Sequence, residues 1–148
     1  MYLLFLACSQ QSSFILLEEY AHKHQLPAPT SLQSDILVLK LENDWRLSLQ
    51  HYAKHKQNEI TLHGDLQLAK APSPDIATQL ITKMMTWNYE MSGAHFSINP
   101  QSSVILLSTW VDQESLSKES FERKLEYLQQ QGTLRFPMIQ ELLYVRDP

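Results

Sequence analysis

The sequence predicts an α+β domain in which an antiparallel, twisted sheet is packed by helices. Apolar and polar residues alternate strictly in 45–50 and 60–68, which is typical of strands with one buried face. Segments 12–25, 75–88 and 117–128 carry apolar residues at the three- and four-residue spacing of amphipathic helices. Successive strand segments are joined by short connections, and this favours antiparallel pairing.

The first predicted element is a helix over 12–25. Ser12 or Ser13 is a suitable N-terminal cap, and Pro27 and Pro29 end the segment, because proline cannot continue a helix. The apolar residues 2–7 precede this helix with no Lys or Arg before them, unlike a secretory signal. We expect them to form a strand or a helix start packed on the domain or on a partner subunit.

Three strands follow the first helix. The segment 36–41 is apolar on both faces, as in a strand buried on both sides, whereas 45–50 and 60–68 alternate. A turn at 42–44 separates the first two, and we expect a polar loop over 51–58.

The second half predicts a helix, a hairpin and a last helix. Ser73 or Asp75 caps a broadly apolar helix that ends before Gly93, and the hairpin pairs 95–98 with 104–111. The complete predicted order is α-β-β-β-α-β-β-α.

The last helix is expected to start near Ser117 or Ser115 and to stop at Gly132. A further helix over 133–144 would be interrupted around Pro137. We therefore expect one domain over 1–148, with a core over 12–131 and a C-terminal helical extension over 133–145.

Composition excludes several classes of protein. The formal net charge is −4, and no stretch gathers Lys and Arg, so nucleic-acid binding is disfavoured. No run of 18 apolar residues occurs, so we expect no membrane insertion. Cys8 is the single cysteine, which excludes an intramolecular disulfide and suits the cytoplasm.

Residues that would carry chemistry are scattered. The three glycines, Gly64, Gly93 and Gly132, are too far apart for a phosphate-binding loop. His51 and His55 are four residues apart, but they lie in the expected loop with no Glu to complete a zinc-protease pattern. We expect solvated loop histidines, no cofactor, no metal, no catalytic residue and no enzyme activity; a small enzyme with a site formed only in the fold is a third, weaker hypothesis.

The chain resembles the class I type III secretion chaperones (the Tir-chaperone family) over about residues 14–131. The stretches that carry the resemblance are 58–66, the proline-bounded helix 75–88, 91–100 with 104–107, and 117–128. Residues 1–11 and 133–148 extend the family pattern. The YbjN-like proteins fit the same pattern, which keeps open an adaptor or regulatory protein-binding module without a secretion role.

The resemblance implies a cytoplasmic homodimer that holds the N-terminal segment of an effector polypeptide in an export-competent state without ATP. The first helix and first strands would present apolar grooves to the effector, and the second helix and the strand 104–111 would form much of the dimer interface. The candidate groove residues are Phe14, Leu17, Leu37, Leu39, Trp45 and Leu47. The candidate interface residues are Leu80, Met84, Trp87, Val104, Leu106 and Trp110. Each groove residue is equally consistent with a place in the core, and the tryptophans also fit either role.

Overall fold

A computed structural model of the chain describes residues 2–33, 35–68, 73–112 and 116–144. Within those ranges, side chains are described from residue 13 to residue 143. The elements are α1 (Tyr2–Lys23), β1 (Thr30–Gln33), β2 (Ile36–Lys40), β3 (Arg46–Tyr52), a 3-10 turn (Ala53–His55), β4 (Gln57–Gln67), α2 (Pro74–Glu90), β5 (Ala94–Ile98), β6 (Val104–Asp112) and α3 (Lys118–Tyr144). The predicted α+β class is confirmed.

The six strands form one antiparallel sheet in the order β1-β2-β3-β4-β6-β5. After β4 the chain leaves the sheet through α2, returns at the outer edge as β5, and turns back as β6 beside β4. The two edge strands are therefore β1 and β5.

All three helices contact strands or one another, and the core lies between them and one face of the sheet. The period-two alternation supplies this face, since every second side chain of β2, β3 and β6 is buried. The buried strand residues include Leu37, Leu39, Leu47, Leu49, Ile60, Leu62, Phe96, Ile105 and Leu107. The buried helix residues include Leu17, Tyr20, Leu80, Met84, Trp87, Phe121, Leu125 and Leu128. Full burial of one such side chain stabilises the fold by about 1.5–3 kcal/mol.

Helix α3 runs without a break through Gly132 and Pro137, so the predicted stop at Gly132 is wrong. Gly132 is buried against the sheet, where a Cβ atom would lie 2.6 Å from Cδ2 of Leu62 and 3.1 Å from Trp45. Pro137 is exposed, so water can bond the helix carbonyl that proline leaves without a donor. Gly132 therefore serves a close contact rather than a helix end.

Three other expectations need correction. Helix α1 begins at Tyr2 rather than at residue 12, and β1 was not predicted. His51 is not a solvated loop residue: β3 extends to Tyr52, and the His51 ring is buried with its Nδ1 2.9 Å from Oδ1 of Asn58. Cys8 and residues 2–7 lie in α1, in the part whose side chains fall outside the described ones.

Across the described ranges, none of the helices combines the length and apolar character needed to span a bilayer.

Candidate interaction surfaces

Helix α2 carries apolar residues on two of its sides. Ser73 caps it, accepting a hydrogen bond from the Ile76 N–H, and one side turns toward the core. The other side exposes Ile81, Met85 and Tyr89, which are 51%, 67% and 92% accessible. These three residues are spaced four apart, so they form one stripe, here called the α2 stripe.

The α2 stripe lies beside the edge strand β5. Asn88, three residues from Met85, accepts a hydrogen bond from the Phe96 N–H at 2.6 Å and donates one to the Phe96 carbonyl at 3.1 Å. Both main-chain groups of Phe96 are therefore occupied by a side chain. A strand added at this edge would have to displace Asn88, and β5 is closed at its centre.

The six candidate interface residues lie on two faces of the sheet. Leu80, Met84 and Trp87 are buried within the chain, Trp87 between Phe96 and the guanidinium of Arg135. Along β6, Val104, Leu106 and Trp110 alternate with the buried Ile105 and Leu107 and face away from the helices. The six side chains therefore lie on different faces of the chain, and their role in a dimer interface stays a prediction. The exposed apolar residues of α2 are those of the α2 stripe.

The candidate groove residues lie mostly in the core. Leu17, Leu37, Leu39 and Leu47 are at most 7% accessible, and a partner could reach them only if the helices moved. Phe14 and Trp45 are half-buried, Trp45 with its ring 5.0 Å from that of Phe136. Their role as a client groove stays a prediction, and the structure offers a different exposed surface on the opposite face of the sheet.

That surface is a concave cavity of about 780 Å³ on the helix-free face of β1–β4, here called the cradle. Its lining residues are Pro27, Ala28, Thr30, Leu32, Ile36, Val38, Lys40, Arg46, Ser48, Gln50 and His63. The apolar members come from β1, β2 and the loop before them, and the polar members come mainly from β3 and β4. The volume is within the range of ordinary ligand sites.

Strand β1 forms one wall of the cradle and is an open edge of the sheet. All four of its residues are exposed, Leu32 by 69%, and β1 pairs only with β2. Its outer main-chain groups have no strand beside them in the described structure. The two sheet edges thus differ: Asn88 closes β5, and β1 is available.

Basic side chains form a row across the cradle. The register pairs Lys40 with Arg46 and Arg46 with His63, so the three lie side by side on neighbouring strands. Arg46 bonds Asp65 at 3.1 Å, and Nε2 of His63 is 3.1 Å from Oγ of Ser48. Burial lowers the pKa of His63, Arg46 lowers it further, and Asp65 acts in the opposite direction.

The Ser48–His63 contact has the distance of a nucleophile and its base, but not the rest of such a site. Within the described ranges, Ser48 is the hydrogen-bond partner of the His63 ring, and no carboxylate accepts a hydrogen bond from that ring to orient it. The same ranges contain no group of three His, Cys, Asp or Glu side chains that could hold a metal ion. The cradle is suited to bind apolar and anionic groups together.

Sequence reasoning missed the cradle because its apolar wall depends on β1. The signal that was present is the two-faced pattern of β2, since Ile36 and Val38 line the cradle while Leu37 and Leu39 enter the core.

Several solved structures share this fold. The ExsC–ExsE complex aligns with a TM-score of 0.67 and 19% identity, covering 93% of this chain and 98% of the other. The HopA1–SchA chaperone–effector complex gives 0.58 and 15%, covering 78% and 86%. The Yersinia pestis type III secretion chaperone SycH, in complex with a stable fragment of YscM2, gives 0.57 and 14%, covering 82% and 98%. At these identities the likeness shows the fold.

The sequence itself identifies the family. Among curated proteins no sequence matches the chain. The model of one protein family, however, matches residues 15–133, from the middle of α1 into α3. That match spans most of the chain, and the chain therefore belongs to the Tir chaperone protein (CesT) family.

Proposed function

We propose that this protein is a cytoplasmic type III secretion chaperone that binds the N-terminal segment of an effector as a homodimer and keeps it export-competent. Membership of the Tir chaperone family supports the proposal. Two of the structures with this fold are chaperones in complex with an effector or with a protein fragment.

The observation that carries the proposal is the free edge of β1 beside the cradle. An extended polypeptide can add a strand to an open sheet edge, its main chain giving affinity and its alternate side chains filling pockets. Here β1 supplies the edge, and the cradle supplies a pocket lined by Leu32, Ile36 and Val38. At the other edge, Asn88 already bonds the main chain of Phe96 in β5, so the edge proposed for the client is β1.

The α2 stripe is the proposed dimer contact. Exposed apolar side chains at a regular spacing suit a two-fold interface, because the same surface then serves on both copies. A stable interface needs on the order of 1,600 Å² in total, so residues flanking Ile81, Met85 and Tyr89 must also be covered. This assignment moves the predicted interface from Leu80 and Met84 to their exposed neighbours.

We propose that the chaperone holds its client by binding energy alone, without ATP. Holding a client segment in an extended form has an ordering cost of about 2–5 kcal/mol or more, which a long contact along β1 and the cradle would offset. The three isolated glycines offer no loop that would cradle a nucleotide phosphate.

The test is co-expression with the N-terminal fragment of a secreted protein encoded beside this gene. We expect the fragment to be retained by the wild-type chain and lost from Leu32→Asp, which places a carboxylate in the apolar wall of the cradle. Leu134→Asp is the matched control, because Leu134 is 60% accessible on α3, away from the cradle, and Leu32 is 69% accessible.

Retention of the fragment by Leu32→Asp would reject the proposed client surface. A chain that retains no neighbouring secreted protein and remains a monomer at micromolar concentration would reject the chaperone function itself.

A further inference from the structure

The distribution of charge around the cradle differs from that of the whole chain. The sequence has 16 acidic residues and 12 Lys or Arg residues, yet the charged residues in the described lining of the cradle are Lys40 and Arg46. The carboxylate of Asp65 lies outside that lining and is bonded to Arg46, and the lowered pKa of His63 favours its neutral form. An acidic chain has thus gathered basic groups at a large concave surface. Such segregation raises the local concentration of anionic partners.

The basic row is also costly in the unbound chain. Like charges directly opposite on neighbouring strands destabilise a sheet, and Lys40 lies directly opposite Arg46. Asp65 bonds Arg46 only, and no described residue forms an ion pair with Lys40. An anion bound across the row would interact favourably with both side chains.

The apolar part of the cradle lies next to the basic row. Val38 and Lys40 are two residues apart on β2 and point to the same face, about 6.6–6.8 Å from each other along the strand. A polypeptide lying along β2 in extended form repeats that spacing, with side chains of residues i and i+2 on one face. An apolar side chain facing Val38 would therefore place its second neighbour at Lys40.

The open edge of β1 indicates that the occupant is a polypeptide. The outer edge of β1 borders the same cavity, and another main chain can pair with it whereas a small amphiphile cannot. A strand paired with that edge lies about 9.5 Å from β2, so one segment of a client would pair with β1 and the next segment would cross the cradle over β2. The apolar wall, the basic row and the free edge are continuous.

We propose that the cradle selects client segments in which an acidic side chain stands two residues from an apolar one. The acidic side chain binds across Lys40 and Arg46, and the apolar one packs against Leu32 and Val38. This inference rests on the proposed function, because it states which client sequences the chaperone surface accepts.

The test is selection of displayed random 12-residue peptides on purified protein. Three proteins are compared: the wild type, Lys40→Gln/Arg46→Gln, and Lys54→Gln/Arg123→Gln. The last is the matched control, because it removes the same two charges from exposed positions outside the cradle. Loss of the exposed Arg46–Asp65 pair costs little stability, so the first double variant is expected to fold.

We expect wild-type and control selections to enrich Asp or Glu two residues from Leu, Ile, Val or Phe, and the cradle variant to lose that enrichment. A selected peptide should bind the cradle variant about tenfold more weakly, as should its Gln-substituted form with the wild type. Its affinity should fall as NaCl is raised from about 50 to 500 mM.

Selected peptides without acidic enrichment, or enrichment that persists in Lys40→Gln/Arg46→Gln, would overturn the inference. Failure to select any peptide would overturn the inference as well. The same conclusion would hold if the cradle bound dodecanoate, a small anionic amphiphile, but no peptide. If the acidic preference is absent while the secreted fragment is still retained in a Leu32-dependent way, the chaperone function stands and only the selectivity is rejected.

Discussion

At residue 132, glycine allows α3 to lie closer to β4 than a larger residue would. A Cβ atom there would meet Leu62 of β4 at 2.6 Å and Trp45, which packs against the core, at 3.1 Å. We expect Gly132→Ala to lower the free energy of unfolding by about 1–3 kcal/mol, because the strain of overpacking outweighs a helix-propensity gain of about 1 kcal/mol.

Urea denaturation measures this change. Thr133→Ala is the control, since residue 133 is exposed on the same helix and gains propensity without strain. An unchanged or higher stability of Gly132→Ala would mean that α3 can shift away from the sheet at no cost.

His63 makes stability depend on pH. Its pKa is lowered in the folded chain by burial and by Arg46, so the folded state binds the proton less tightly than the unfolded state. The unfolded state then holds more protons as pH falls below about 6.5, and folding stability falls with it until the folded pKa is passed. We expect the loss of unfolding free energy between about pH 7.5 and 5.5 to be smaller in His63→Gln than in the wild type.

Denaturation curves at the two pH values check this expectation. Ser48→Ala should keep most of the wild-type pH dependence, because burial, not the Ser48 hydrogen bond, is the main cause of the lowered pKa. Equal pH dependence in His63→Gln and the wild type would contradict the role of His63.

Between elements, Asn88 of α2 fastens the helix to β5 and closes that edge of the sheet. Asn88→Ala removes both hydrogen bonds and leaves the Phe96 main chain unpaired, which we expect to cost about 1–3 kcal/mol. The freed edge should also pair with other copies, giving species larger than a dimer in light scattering.

Thr86→Ala is the control for α2, because the Thr86 hydroxyl bonds only the Thr82 carbonyl on the exposed side of the helix. If Asn88→Ala is as stable as Thr86→Ala and shows no larger species, the closure of β5 does not depend on Asn88.

The same elements show how far the sequence could be interpreted. Strands β3 and β4 were predictable because alternation directly reflects one buried face, and β6 was predictable as the apolar arm that follows a hairpin turn. Strand β1 was not, because an edge strand with four exposed residues has no hydrophobic pattern to detect. Gly132 resembles a helix C-terminal signal in the sequence, because the sequence does not show that the sheet will pack against this glycine.

The candidate site was predictable in kind and not in position. An apolar residue that packs in the core and one that binds a partner look alike in a sequence, so Leu37 and Leu39 were candidates for both. The cradle needs the strand register to be known, because only pairing brings Lys40, Arg46 and His63 into one row.

At the scale of the whole molecule, the surfaces proposed for dimerisation and for client binding are separate. The α2 stripe lies at the β5 side of the sheet, and the cradle lies at the β1 side. A dimer formed through the stripe would leave both cradles open. Dimerisation and client binding should then be separable by mutation, which a shared surface would not allow.

Met85→Glu tests that separation at the centre of the α2 stripe. Two copies of this variant would place like charges against each other in an apolar contact. We therefore expect light scattering to give the mass of one chain, 17.2 kDa, for the variant and twice that mass for the wild type. Leu134→Glu is the control, because it introduces the same charge at a comparably exposed residue of α3. A dimer that survives Met85→Glu, or one that Leu134→Glu dissociates, would assign the two-fold contact to another face. A monomeric Met85→Glu that still binds the selected acidic peptides would show that each chain carries a complete cradle.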